Sequence, residues 1–197
     1  MTKEKLRVKN ITVNFEEKSI IEDVTITLNE GEIVSILGVS GVGKTTLFNV
    51  IAGLINPCIG TVELDGENII GKSGKISYML QKDLLFPFKT ILDNVSLPLI
   101  LKGENKKKAR EIAGKYFSQF GLEGMENKYP KELSGGMRQR AAFLRTYMFS
   151  SEIALLDEPF SALDTITKQK IHTWYLDVVK KLNISILFIT HDIDEAI

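Results

Sequence analysis

The stretch GVSGVGKTT, residues 38–46, constrains this 197-residue chain more than any other. It follows directly on an uninterrupted apolar run, IVSIL at 33–37, and carries the spacing G-x-x-x-x-G-K-[ST] as Gly38, Gly43, Lys44 and Thr45. Glycines at these positions let the main chain fold so that successive N–H groups converge on one anion. A helix predicted over about 44–53 aims its positive N-terminal end at the same anion. Lys44 adds a mobile charge for the outer phosphates of a nucleotide, and Thr45 presents a hydroxyl to Mg²⁺. Ser40, Gly41 and Thr46 complete the loop. Buried strand, glycine loop and helix in that order predict an α/β chain with a nucleotide-phosphate site.

The remaining apolar patterns fall into three kinds. Ile11, Val13 and Phe15 alternate with polar residues, as do Val24, Ile26 and Leu28, with a turn expected over 16–19. This period of two predicts an antiparallel opening, extended by a strand over 61–64 before the Asp65-Gly66 turn. The runs at 33–37, 153–156 and 184–189 are nearly continuous instead, which suits strands buried on both faces of a parallel sheet. The middle of the chain reads as helical. Ala109, Ile112, Ala113, Tyr116, Phe117 and Phe120 recur at helical spacing up to a stop at Gly121, a second helix runs from Ser134 to about Phe149, and a third has Ile171, Trp174, Tyr175, Val178, Val179 and Leu182 on one face. Lys106, Lys107 and Lys108 read as a solvated first turn.

In open α/β sheets chemistry gathers beyond the carboxyl ends of parallel strands. The run at 153–156 ends in Asp157-Glu158-Pro159, where neighbouring side chains diverge and two carboxylates can do different work. Asp157 is placed to hold Mg²⁺, and Glu158 to orient and deprotonate an attacking water. The run at 184–189 ends in Thr190-His191-Asp192, which brings His191 to the same edge, whereas His172 reads as structural.

Acidic and basic side chains balance at 25 each, which argues against a mainly electrostatic grip on nucleic acid or anionic lipid. One cysteine, Cys58, cannot form an internal disulfide, and no run approaches the ~18 apolar residues of a spanning helix. Val95 to Leu101 is the most apolar stretch but is short and interrupted by Pro98.

The string LSGGMRQR, 133–140, offers a second anion site: Ser134 as N-cap hydroxyl, then Gly135 and Gly136 exposing N–H groups at a helix start. This string resembles the signature motif of ATP-binding-cassette (ABC) ATPases, and the rest of that family's pattern falls in order along nearly the whole chain. The resemblance implies a P-loop NTPase core with a mostly parallel sheet, an N-terminal antiparallel β-subdomain and an inserted α-helical subdomain. The expected division is 1–82 and 147–197 for the nucleotide-binding core, and 83–146 for the helical part with the signature.

It implies further that Ser134, Gly135 and Gly136 of one subunit close over ATP held by the phosphate loop of a second. Phe15 matches the aromatic that stacks on adenine, where tyrosine is commoner. Gln81 matches the glutamine that senses Mg²⁺ and water, so that Thr45, Gln81 and Asp157 form the expected metal set. Ser161, Ala162, Leu163 and Asp164 match the loop that crosses to the partner subunit, and His191 the switch histidine at the γ-phosphate. With Lys44, Glu158 and Gln81 it completes the expected catalytic set.

LLFPFK, 84–89, matches the segment that meets a permease's cytoplasmic helix, and Phe86, Pro87 and Phe88 would be an exposed apolar knob without a partner. More narrowly, LLFPFKTILDNVSLPL, LSGGMRQRAAFLRTYMF and DEPFSALD look like the ATPases of bacterial nitrate, sulfonate, taurine and pyrimidine-precursor importers. The expected partners are then a transmembrane permease, a second ATPase subunit and an extracytoplasmic solute-binding protein, with the chain cytoplasmic and peripheral on the inner face of the membrane. Similar subunits continue beyond THDIDEA into another helix and more strands, so the end at Ile197 reads as a truncation. Two other classes compete: a cassette ATPase acting in translation or DNA repair, and a small-molecule kinase, which leaves LSGGM unexplained.

Overall fold

A computed structural model describes residues 3–16, 18–150, 152–161 and 163–196. The positions Glu17, in the expected 16–19 turn, Ala162, in the loop expected to cross to a partner, and Ile197 lie outside the described residues. The chain divides into two compact units, one of Met1–Tyr78, Glu152–Glu158 and Asn183–Ile197, the other of Met79–Ser151 and Pro159–Leu182.

The first unit opens with β1 (Glu4–Phe15) and β2 (Lys18–Asn29), paired antiparallel. With β4 (Ile59–Leu64) and β5 (Glu67–Asn68) they form a sheet in the order β2-β1-β4-β5. Asp65 and Gly66 both take positive φ, 50° and 82°, which is the two-residue hairpin geometry that matches strand twist. The parallel sheet has the order β3-β8-β7-β6, from β3 (Ile33–Leu37), β8 (Ser185–Thr190), β7 (Ile153–Asp157) and β6 (Ser77–Met79). β7 and β8 are buried throughout, as their unbroken apolar runs predict. β3 departs from that expectation. It is an edge strand, paired only to β8 in that order, and Ile33 and Leu37 are exposed.

Between the sheets lies one apolar core, in which Leu6, Val8 and Val62 from the first meet Ile153, Leu155, Leu187 and Ile189 from the second, with Phe48 and Ile51 of α1 (Lys44–Ile51). Lys5 crosses beside it, ion-paired to Asp65 at 2.7 Å and to Glu152 at the start of β7. Its ammonium is held above the ordinary lysine range because those two carboxylates outweigh the effect of burial, the largest single influence. The strand ends that matter for chemistry are thus fixed to a packed scaffold rather than to loops alone.

The second unit holds α2 (Ile91–Leu101), α3 (Lys106–Gly114), a short 3₁₀ turn at Pro130–Glu132, α4 (Gly135–Phe149) and α5 (Thr165–Leu182). Its core is aromatic: Phe143 stacks on Tyr175 with centroids 4.0 Å apart, and Phe120 and Trp174 meet edge to face at 5.9 Å. α5 buries Ile171, Tyr175, Val178 and Val179, while Trp174 and Leu182 are only half-buried. α3 is shorter than its periodicity predicts. It ends at Gly114, and the chain continues to Gly121 in tight i→i+3 turns such as Tyr116 N–H to Ala113 O at 3.1 Å. Glycine lowers helix propensity by about 1 kcal/mol at that point, and Gly121 then takes φ 63°. Lys106 and Lys108 are solvated, as expected of a first turn.

Candidate functional site

In the first unit the phosphate loop stands between β3 and α1. Gly43 is the N-cap of α1, with φ 98°, and a Cβ there would lie 2.8 Å from Ile20 O. Only glycine meets both conditions. Having no side chain, Gly43 offers no cap, and the first i→i−4 bond of the helix is Leu47 N–H to Gly43 O at 2.9 Å. The amides of Lys44, Thr45 and Thr46 therefore point out of the helix without intrahelical acceptors, as an anion site requires. Lys44 is buried and its Nζ donates to Gly38 O at 2.6 Å and Val39 O at 2.8 Å, so its ammonium lies over the loop. Ser40 and Gly41 are exposed on the rim. Phe15, at the end of β1, is 56% exposed, so its ring has a free face.

The carboxylates come together as their strand ends predict. Thr45 Oγ1 donates to Asp157 Oδ2 at 3.1 Å, and His191 Nδ1 lies 3.2 Å from Glu158 Oε2. Glu158 carries φ 45°, a left-handed conformation that costs a non-glycine residue of order 1 kcal/mol, while its N–H still bonds Ile189 O at 3.0 Å. That turn follows directly on Asp157, and the charge of Glu158 still bears on the Asp157 carboxylate. Behind His191, Thr190 Oγ1 accepts from Asp192 N–H at 3.0 Å and donates to the buried Glu195 carboxylate, which fixes the loop that carries the imidazole.

A divalent ion has a suitable half-shell here. Thr45 and Asp157 supply hard oxygens on adjacent elements, and among the described residues no group of three or more His, Cys, Asp or Glu forms a closed cage. Such an open set suits Mg²⁺, which keeps waters and nucleotide oxygens as its other ligands.

Burial holds the Asp157 carboxyl above the ordinary carboxylate range, aided by the charge of Glu158, against the hydrogen bonds from Thr45 and Tyr78 and the charge of Lys44. An acid whose pKa is raised by folding stabilises the fold fully below its unfolded value, and that contribution is lost as pH rises through the folded value. Ionised Asp157 is therefore a burden on the protein by itself at neutral pH. Asp157→Asn without nucleotide is expected to melt at or above the wild-type temperature at pH 7–8, and this advantage should shrink toward pH 4. A lower Tm at pH 7.5, read by calorimetry, would contradict this.

In the second unit Ser134 caps α4, its hydroxyl accepting from Met137 N–H at 3.3 Å, and it is exposed. Gly135 is half-buried. Gly136 is buried, and a Cβ on it would come within 2.6 Å of Ile171 Cδ1, so its bare backbone also serves close packing of α4 on α5. Gln81 is exposed and donates to Ser161 Oγ at 3.2 Å. The 84–89 segment presents Leu84, Phe86 and Phe88 to solvent, with Phe88 72% exposed.

Sequence reasoning missed what holds that segment. Asn94 of α2 is fully buried; its Oδ1 accepts from Phe86 N–H at 2.7 Å, and its Nδ2 donates to Phe86 O and Lys89 O, both at 3.1 Å. Arg145 of α4 grips Asp83 O at 2.6 Å and Leu84 O at 2.8 Å, and Arg138 binds the Asp83 carboxylate at 3.2 Å. It also missed Tyr78, whose hydroxyl donates to Asp157 Oδ2 at 3.3 Å. Burial and the charge of Asp157 push the Tyr78 hydroxyl well above the usual phenol range, so it remains a donor.

Phosphate loop, strand-end carboxylates and a capped LSGG helix together define a P-loop nucleotide-hydrolysing cassette. The family model described as ABC transporter matches residues 21–161, and the chain belongs to that family. It is similar to the formylaminopyrimidine import ATP-binding protein ThiZ of Halalkalibacterium halodurans, 47% identical over all of this chain and 77% of that protein. It is also similar to the taurine import ATP-binding protein TauB of Escherichia coli O157:H7, 38% identical over 98% of this chain and 75% of that one. Among solved structures, the dimeric bacterial ABC transporter cassette MJ0796 superposes with a TM-score of 0.80 at 32% identity, over 97% of this chain and 90% of that chain. The ADP conformation of the cassette MJ1267 gives 0.85 at 26%, over 98% and 84%. The protein is an ATPase of this family, and no helix among its described residues is long and apolar enough to cross a membrane.

Proposed function

We propose that this ATPase powers import of a small polar organic solute of the kind named for its relatives, a pyrimidine precursor or a sulfonate such as taurine. The observation that carries the catalytic reading is the 3.2 Å approach of His191 Nδ1 to Glu158 Oε2, beside the Thr45–Asp157 pair. Glu158 takes the proton of the attacking water, and His191 orients Glu158 and meets the γ-phosphate. Lys44 and the first-turn amides of α1 hold the β- and γ-phosphates. Mg²⁺ held by Thr45 and Asp157 would neutralise charge developing on the phosphates, and Gln81 is assigned by the family pattern to sense it. Phe15 stacks on the base.

Ser134, Gly135 and Gly136 close over the nucleotide of a second subunit, a reading supported by the dimeric form of a related cassette. In this division of labour 1–82 and 147–197 handle nucleotide and 83–146 carries the lid and the docking surface. The exposed Leu84, Phe86 and Phe88 form the face that meets a permease at the inner membrane surface, with a solute-binding protein delivering cargo from outside. Closure lasts while the γ-phosphate bridges both subunits, so its cleavage favours reopening.

The test is uptake into proteoliposomes containing the chain's permease, with its solute-binding protein added. ATP loaded inside should drive accumulation of taurine or formylaminopyrimidine, and ADP should not. Hydrolysis stimulated by ribosomes or DNA, with no permease association, would point instead to the translation or repair class.

A further inference from the structure

We infer that Tyr78 is a positioning residue for the metal–nucleotide centre, its hydroxyl holding the Asp157 carboxylate in the orientation that serves the ion. The inference rests on the proposed role of Asp157. Strand period sends alternate side chains of β6 to opposite faces. Ser77 and Met79 are buried, and Ser77 Oγ donates to Ile153 O at 2.6 Å, which pins β6 to the start of β7. Tyr78 then points the other way, where Phe48 of α1 meets its ring edge to face, with centroids 5.8 Å apart. That contact fixes the ring, and the fixed ring delivers its Oη to Asp157 Oδ2 at 3.3 Å.

The same Oδ2 accepts from Thr45 Oγ1 at 3.1 Å. These two donors differ in kind. Thr45 belongs to the phosphate loop, and its hydroxyl is the one offered to Mg²⁺, so its bond to Asp157 is shared. Tyr78 sits outside the loop, and its hydroxyl has no other role in the proposed site. It is the donor that stays on Asp157 whichever way Thr45 turns. Groups that orient a metal-binding carboxylate typically change metal affinity 10–100-fold when removed.

Tyr78→Phe deletes the hydroxyl and keeps the ring against Phe48. The readout is equilibrium binding of a fluorescent ATP analogue without turnover, titrated with Mg²⁺ and repeated in EDTA. The Mg²⁺ needed for half-maximal binding is expected to rise about tenfold, with binding in EDTA within about twofold of wild type. In an Asp157→Asn background the Tyr78→Phe change should add nothing further. Unchanged Mg²⁺ dependence in Tyr78→Phe, with loss in Asp157→Asn, overturns the role of Tyr78 and leaves that of Asp157 standing. Unchanged dependence in both overturns both. Equal weakening in EDTA and in Mg²⁺ overturns the proposal too, since it marks general damage to the pocket.

Discussion

Glu158→Gln is expected to bind ATP normally, to hydrolyse it about 10²–10⁴-fold more slowly, and to accumulate as an ATP-bound dimer. The amide keeps the size and hydrogen-bonding reach of the carboxylate but cannot accept a proton from water. The His191 contact at 3.2 Å and the backbone bond to Ile189 persist, so the pocket keeps its shape. With cleavage blocked, the species that normally reopens is trapped. Size-exclusion chromatography with and without ATP reads the dimer, and single-turnover kinetics read the chemical step. The dimer also reports on the lid. Adding Ser134→Arg should abolish ATP-dependent dimerisation while each monomer still binds ATP, because the long side chain obstructs the exposed cap of α4. Normal turnover in Glu158→Gln would remove Glu158 from the role of base, and dimerisation of the double variant would remove Ser134 from the lid.

Lys44→Ala is expected to weaken ATP binding by about ten- to a hundredfold, with turnover falling further. A charge-assisted hydrogen bond is worth about 1.5–3 kcal/mol, and this ammonium lies 2.6 and 2.8 Å from the carbonyls of Gly38 and Val39, inside the loop's own arc. Lys44→Arg should rescue little, since a planar guanidinium does not fit a position gripped by two carbonyls at that range. Isothermal titration with ATP and with ADP separates the contributions of the outer phosphates. Equal loss for both nucleotides would place Lys44 on the β-phosphate, and a larger loss for ATP on the γ-phosphate as well. Wild-type affinity for both would refute the assignment.

The nucleotide end of the chain was legible because its residues leave few options. Gly43 must be glycine at φ 98° against Ile20 O, and the unbroken runs of β7 and β8 suit strands buried in a parallel sheet. The edge position of β3 was not legible. Its IVSIL run has the composition of a central strand, and only tertiary pairing decides which strand lies outermost. α2 was hidden for a different reason. Its apolar residues form a block without period, and Pro98 read as a break, although near the end of an 11-residue helix it removes only one ladder bond. The usable signal was Thr90 followed by Asp93, whose N–H bonds the Thr90 hydroxyl at 3.2 Å as an N-cap.

Tyr78 and Asn94 escaped because their partners lie 79 and 5–8 positions away with no motif linking them. Glu158 in a left-handed turn could not be read either, since nothing about an Asp-Glu-Pro string announces a positive φ.

Asn94 and Arg145 clasp main-chain atoms of residues 83–89 through five hydrogen bonds. The course of that knob is therefore held through its main chain, whatever rings stand at its exposed positions. Exchanging Phe86 or Phe88 for other bulky groups would redraw the outer relief while the underlying loop keeps its course. Variation confined to the exposed rings at Phe86 and Phe88 therefore alters what this segment offers to its surroundings while the clasp on its main chain stays in place.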